Sequence, residues 1–230
     1  MDDMNQHFLH ATGVSLFLLL ILAIAISCQT NEKNASNGTE SSLPVSSENT
    51  SVEFRLVIDE GSARYEVQEE LLGIGFPTYA VVSTDGVTGV VEVGVDGTID
   101  SALSMIEVDL WALRSDEERR DGYLQRNTLQ TAEYPFATLI PKQISGHSGP
   151  FPSNGSFIFH LIGDLTIRKV TKEISWDFVT DLRDERISGE ARTEFSFSDF
   201  SLTRPKVRRV LSVEDRIQPI IHFSGHIERQ

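Results

Sequence analysis

Cysteine is nearly absent, with one in 230 residues. No disulfide can form within the chain, and a structural zinc site built from several thiolates is excluded. Basic residues are also scarce: 20 Lys and Arg stand against 34 Asp and Glu, for a formal net charge of −14. The resulting pI of about 4.8 argues against nonspecific nucleic-acid binding, which relies on cations set against phosphates. Recognisable catalytic sets are missing too. "GHSGP" at Gly146 to Pro150 does not complete the G-x-S-x-G of a nucleophile elbow and reads as a turn. The six histidines are scattered. His222 and His226 have a helical zinc spacing, but their segment alternates as a strand, where four residues span roughly 13 Å, so they read as a polar face. "LGIGFP" at Leu72 to Pro77 lacks the third glycine and following helix of a dinucleotide fingerprint. No acid–base carboxylate pair stands out, so the expectation is a protein without metal or cofactor and not an enzyme.

What is present begins with one long greasy run, Val14 to Cys28, "VSLFLLLILAIAISC". As a helix it spans roughly 22 Å, short of the roughly 30 Å hydrocarbon core, which favours a signal peptide over a spanning segment. Ala25, Ile26 and Ser27 lead into Cys28, an ending that resembles the lipobox of bacterial lipoproteins. The resemblance implies cleavage before Cys28, lipidation of its sulfur, and a membrane-tethered, extracytoplasmic domain on the periplasmic or cell-surface side. Ala25 stands where the lipobox prefers Leu, and the leading "MDDMNQHFLH" has no Lys or Arg. Extended back to Phe8, the run becomes long enough for an uncleaved anchor, so both forms of attachment stay open. Residues 29–52, rich in Ser, Asn, Thr and Glu with little to bury, read as a disordered tether. Its N-x-S/T triplets at Asn34, Asn37 and Asn49 would accept glycans in a eukaryotic secretory pathway and in a bacterium are what such a composition produces by chance.

From residue 53 to 230 the chain reads as one all-β domain. Short runs rich in Val, Ile, Phe and Thr, bounded by Gly, Asp, Asn or Ser, predict strands at Phe54–Ile58, Ser62–Glu69, Val87–Val95, Ala102–Asp109, Ala137–Ile144, Ser156–Ile162, Lys172–Leu182, Ile187–Phe197 and Arg216–Glu228. This spacing points to an antiparallel sandwich or barrel. In "EISWDFV", Ile174, Trp176 and Phe178 share one face and Ser175 and Asp177 the other. In "ISGEARTEFSF", Ile187, Ala191, Phe195 and Phe197 oppose Glu190, Arg192 and Glu194. One face is buried and one is wet. The exception is Ser115 to Leu129, where Ser115 and Glu118 predict a capping box and acidic residues occupy the first turn, so one short helix is expected to close an end of the barrel. Two basic clusters interrupt the acidic background: Arg168, Lys169 and Lys172, and Arg204, Lys206, Arg208 and Arg209. They read either as charged loops or as a rim that attracts an anionic head group or membrane surface.

The order of segments carries a resemblance. "LVIDEGSARYEV", "TDGVTGVVEVGVDGTI", "RRDGYLQRNTLQTAEYPFATLIP", "LIGDLTIRKVTKEISWDF" and "FSFSDFSLTRPKV" are similar, in sequence order, to five successive segments of the YceI-like family. Departures are Arg168 and Lys169, where the family usually has a hairpin glycine, and Ser201, where glycine often follows the D-F pair; both bear on turn shape. The resemblance implies a lipocalin-like eight-stranded antiparallel barrel that holds a long isoprenoid or similar amphiphile. Period-2 assignment then gives the interior candidates Phe157, Phe159, Trp176, Phe178, Phe195, Phe197, Ile221 and Phe223, although an aromatic on a strand's inner face is more often core filling than ligand wall. Head-group candidates are Arg204, Lys206, Arg208 and Arg209. Expected partners are an amphiphilic lipid, the membrane through the N-terminal segment, and a second copy in a homodimer. Two rival readings stand beside the carrier: a barrel packed solid as a structural or interaction module, and an enzyme acting on a bound lipid.

Overall fold

A computed structural model describes residues 52–146, 152, 154–206 and 208–229. The signal or anchor segment with Cys28 and nearly all of the expected tether lie outside the described residues.

Among the described residues eleven strands form one antiparallel sheet: β1 (Val52–Leu71), β2 (Thr78–Thr84), β3 (Val87–Gly94), β4 (Met105–Asp109), β5 (Phe136–Ser145), β6 (Gly155–Ile167), β7 (Val170–Arg183), β8 (Arg186–Arg192), β9 (Phe195–Ser196), β10 (Val210–Val213) and β11 (Arg216–Arg229). The pairing order β1-β3-β4-β5-β6-β7-β8-β11 returns to β1, because β1 pairs with both β3 and β11. Eight strands therefore close a ring with its apolar face inside, the barrel the sequence predicts.

Closure depends on the long first strand, which the sequence splits in two. Phe54, Leu56 and Ile58 face inward in its first half, and Tyr65, Val67 and Glu69 in its second. The inward set changes from even to odd because the register against β11 shifts between Ile58 and Glu60. A bulge adds one residue, turns the strand and keeps apolar side chains inside on both sides of the bend. Gly225 sits beside this bend, where an added Cβ would lie 2.0 Å from the Val57 carbonyl oxygen. β2 and β3 both run antiparallel to β1, one beside each half, with the break at Asp85 and Gly86.

The segment between β4 and β5 covers one end of the barrel. It contains helix α1 (Glu118–Tyr123) and a π turn at Leu124–Thr128. The expected capping box does not form, and the helix starts later than predicted: Glu117 is the N-cap, its carboxylate accepting from the Arg119 N–H. Asp121 engages Ser115 instead, accepting from its hydroxyl at 2.6 Å and its backbone N–H at 2.9 Å. The strand predicted over Ile187–Phe197 is also corrected. It divides into β8 and β9, and Phe197 begins a 3-10 turn to Phe200 with its own capping box between Ser196 and Asp199.

Candidate functional site

The inward faces of the ring enclose two apolar chambers along the barrel. The first, of about 80 Å³, is lined by residues that include Phe54, Leu56 and Ile58 of β1, Phe157 and Phe159 of β6, Phe178 and Leu182 of β7, and Phe223 and Ile227 of β11. The second, of about 110 Å³, is lined by Tyr65 of β1, Leu165 and Ile167 of β6, Ile217 of β11, Phe195, Phe197 and Leu202, with Leu124 and Leu129 reaching in from the covering segment. Ile106, Leu139, Trp176 and Ile221 belong to both walls. They form a girdle, and the interior is two rooms on either side of it. Each chamber is smaller than the roughly 150 Å³ that accommodates a benzene-sized guest. A tail of several isoprene units would have to push the girdle side chains apart.

All eight interior candidates named from the sequence stand on these walls: Phe157, Phe159, Phe178 and Phe223 in the first chamber, Phe195 and Phe197 in the second, and Trp176 and Ile221 in the girdle. Alternation on β6, β7 and β11 brings six of them together, and Phe195 of β9 and Phe197 of the following 3-10 turn join from the segment after β8. Phe159 is opposite Phe178 in the register, with ring centroids 4.8 Å apart and stacked, and Phe178 meets the Phe223 ring edge-on at 5.9 Å. Gly189 makes room for this cluster, since a Cβ there would lie 3.0 Å from Phe223 Cζ and 2.6 Å from the Val179 carbonyl oxygen.

Polar groups on the walls are few. Thr180 donates its hydroxyl to the Phe157 carbonyl at 3.0 Å, and Thr128 donates to the Thr203 carbonyl at 2.7 Å. Burial pushes the Tyr65 phenol well above its ordinary pKa, so it stays protonated. Arg229, on the wall of the first chamber, lies 3.7 Å from Glu185. Trp176 differs from these. It is 3 % exposed, and its indole N–H is buried without a hydrogen-bond partner. A buried unpaired donor is costly, so it is also a group that an oxygen atom inside the barrel would satisfy.

The sequence did not reveal what holds the cover in place. Arg120 of α1 reaches Glu69 of β1 at 2.8 Å, with both side chains almost fully buried, and also contacts Asp116 at 2.6 Å. Its R-D pattern was legible, but the partner 51 residues earlier was not. The basic head-group candidates lie elsewhere. Arg204, Lys206, Arg208 and Arg209 are exposed and line neither chamber; the Arg204 guanidinium donates to the Val213 carbonyl at 2.9 Å. Lys169, in the other basic cluster, pairs loosely with Glu133 at 3.7 Å and sits over the Tyr134 ring.

His222 and His226 point outward to separate partners, Glu190 at 3.7 Å and Asp59 at 2.9 Å. Among the described residues no group of three or more His, Cys, Asp or Glu could hold a metal ion.

An eight-stranded closed antiparallel barrel around an apolar interior is the architecture of lipocalin-like binding proteins. The family model of the YceI-like domain matches residues 44–224, and the chain belongs to that family. Among solved structures it is similar to a polyisoprenoid-binding domain from Saccharophagus degradans implicated in plant cell wall breakdown, at 12% identity and TM-score 0.58, covering 77% of this chain and 99% of that one. It is also similar to BcnA of Burkholderia cenocepacia, at 14% identity and TM-score 0.54, covering 71% of this chain and 95% of that one. The YceI protein of Campylobacter jejuni matches at 17% identity and TM-score 0.50, over 69% of this chain and 89% of that one. At these identities the likeness is one of fold. No curated protein matches the chain.

Proposed function

We propose that the barrel binds one amphiphilic lipid of the isoprenoid type and serves as its carrier or reservoir outside the cytoplasm, tethered to a membrane through lipid on Cys28 or through an uncleaved N-terminal anchor. The observation that carries this reading is the pair of apolar chambers running along the barrel through a shared girdle. The binding of a polyisoprenoid by the structurally similar Saccharophagus domain supports it. Binding would come from burial of the tail, about 0.8 kcal/mol per methylene, or roughly 4 kcal/mol for a five-carbon unit before the cost of ordering the tail and opening the girdle. Phe157, Phe159, Phe178 and Phe223 would hold the tail on one side of the girdle and Phe195 and Phe197 on the other. Trp176 would donate its N–H to an oxygen of the ligand. We place the protein among binding proteins, not enzymes.

The test is native mass spectrometry with lipid extraction on the protein purified from a bacterial host. A stoichiometric isoprenoid that stays bound through gentle purification supports the carrier. A protein still empty after incubation with quinones and polyprenyl lipids would select the second reading, an interaction module without cargo, which the narrowness of the girdle favours.

A further inference from the structure

The hairpin joining β1 to β2 ends in an apolar tip. Leu72 is 58% exposed, Ile74 41% and Phe76 68%; Tyr79 at the start of β2 and Leu211 on the neighbouring β10 are exposed to a similar degree. β10 is aligned beside the tip by pairing of Leu71 with Val210. An N–H from Leu72 to the Arg209 carbonyl, 2.7 Å, ties the tip to the loop that precedes β10. That loop carries Arg204, Lys206, Arg208 and Arg209, all exposed, and from Thr203 to Ser212 it holds no acidic residue. Large side chains of this kind exposed together mark an interaction surface. The exposed Glu70 carboxylate beside β10 is held by the Ser212 hydroxyl at 2.9 Å. Within a chain of net charge −14, a run of four cations beside an apolar projection selects a partner that offers negative charge at its surface and hydrocarbon beneath.

We infer that the β1–β2 tip is a membrane-docking element, with Leu72, Ile74 and Phe76 entering the interfacial region of an anionic bilayer and Lys206, Arg208 and Arg209 resting on its head groups. The direction of the strands gives this docking a consequence. β1 passes from the first chamber at Phe54 to the second at Tyr65 and on to Leu71. The tip therefore lies beyond the second chamber, at the end closed by Leu124, Leu129 and Leu202. Docking brings that covered end to the lipid surface. The inference concerns attachment of the barrel itself and stands whether or not the barrel holds lipid.

The test uses the full chain with Cys28→Ser and a single new cysteine at Phe76→Cys, labelled with an environment-sensitive nitrobenzoxadiazole. A control carries the label at Asp184→Cys, in the β7–β8 turn at the opposite end. Vesicles are phosphatidylcholine alone or with one third phosphatidylglycerol. The expected result is a blue shift and quenching by spin-labelled lipids at position 76 but not at 184, strongest with the anionic lipid and weakened by salt. Arg208→Glu with Lys206→Glu should weaken the response at position 76 by at least about fivefold for each charge lost. Because position-specific quenching is the readout, membrane attachment through the N-terminal segment does not imitate it. A label at 76 that stays in water, equal responses at both positions, or a shift without vesicles that grows with protein concentration would each overturn the inference, the last in favour of a second copy.

Discussion

Trp176 performs two jobs that two substitutions separate. It fills the girdle between the chambers, and it holds an indole N–H that finds no partner. Trp176→Phe keeps an aromatic ring but removes three ring atoms. Loss of two buried carbons costs roughly 2 kcal/mol, while removal of an unpaired buried donor returns about 1–3 kcal/mol. The two nearly cancel, and urea unfolding of the empty protein should show a change within about 1 kcal/mol. Trp176→Ala has no such compensation and should cost about 3–5 kcal/mol, because it leaves a cavity across the girdle. Uptake of isoprenoids should show the reverse contrast. The phenylalanine variant should bind an oxygenated isoprenoid about fivefold less tightly, as one hydrogen bond is lost, with little change for a tail that lacks oxygen. The alanine variant should shift preference toward longer tails, since its two chambers become one. Unfolding curves with and without lipid, and a chain-length series by native mass spectrometry, read both effects. If Trp176→Phe destabilises the empty protein by 3 kcal/mol or more and uptake does not change, Trp176 is a packing residue and the girdle argument is wrong.

Arg120→Met should destabilise by about 3–5 kcal/mol in chemical denaturation, because Glu69 would remain buried without its partner, and adding Glu69→Met should restore much of the loss. Gly225→Ala should prevent normal closure of β1 on β11, since its Cβ would lie 2.0 Å from the Val57 oxygen; amide exchange would show early opening of those two strands. Asp59→Asn should lower the His226 pKa toward its ordinary value in an NMR titration, because the Asp59 carboxylate is the main cause of its elevation. His226⁺ adds stability in full below the ordinary histidine value of 6.5 and loses it as pH rises through the elevated folded value. Asp59, held low by His226, adds stability above its ordinary 3.8 and loses it as pH falls through the depressed value. The wild-type advantage over Asp59→Asn should therefore peak between those two ordinary values.

Period-2 alternation made the walls legible. On β6, β7 and β11 every inward candidate follows from counting residues, because these strands keep one register through the positions concerned. What escaped was set by events that break the count or by partners far along the chain. The bulge in β1 hides a continuous strand of 20 residues, since the apolar residues change parity at Asp59 and the halves look like separate strands. β2 and β10 were missed for a different reason. Both are short and each also shows apolar side chains to solvent: in β2 Ala80 and Val82 are buried but Tyr79 and Val81 are exposed, and in β10 Val213 is buried but Leu211 is exposed; the glycines and proline of "LGIGFP" and the arginines before Val210 read as loop. With three buried positions in β2 and one in β10, flanked by loop-like residues, these strands carry too short an alternation to stand out from the turns beside them. Such positions are also where exposed hydrophobic side chains have no role in the core. Apolar side chains that point to solvent gain nothing from folding for that exposure, so Leu72, Ile74 and Phe76 of the β1–β2 tip and Leu211 of β10 are better explained by a surface outside the molecule than by any need of the barrel.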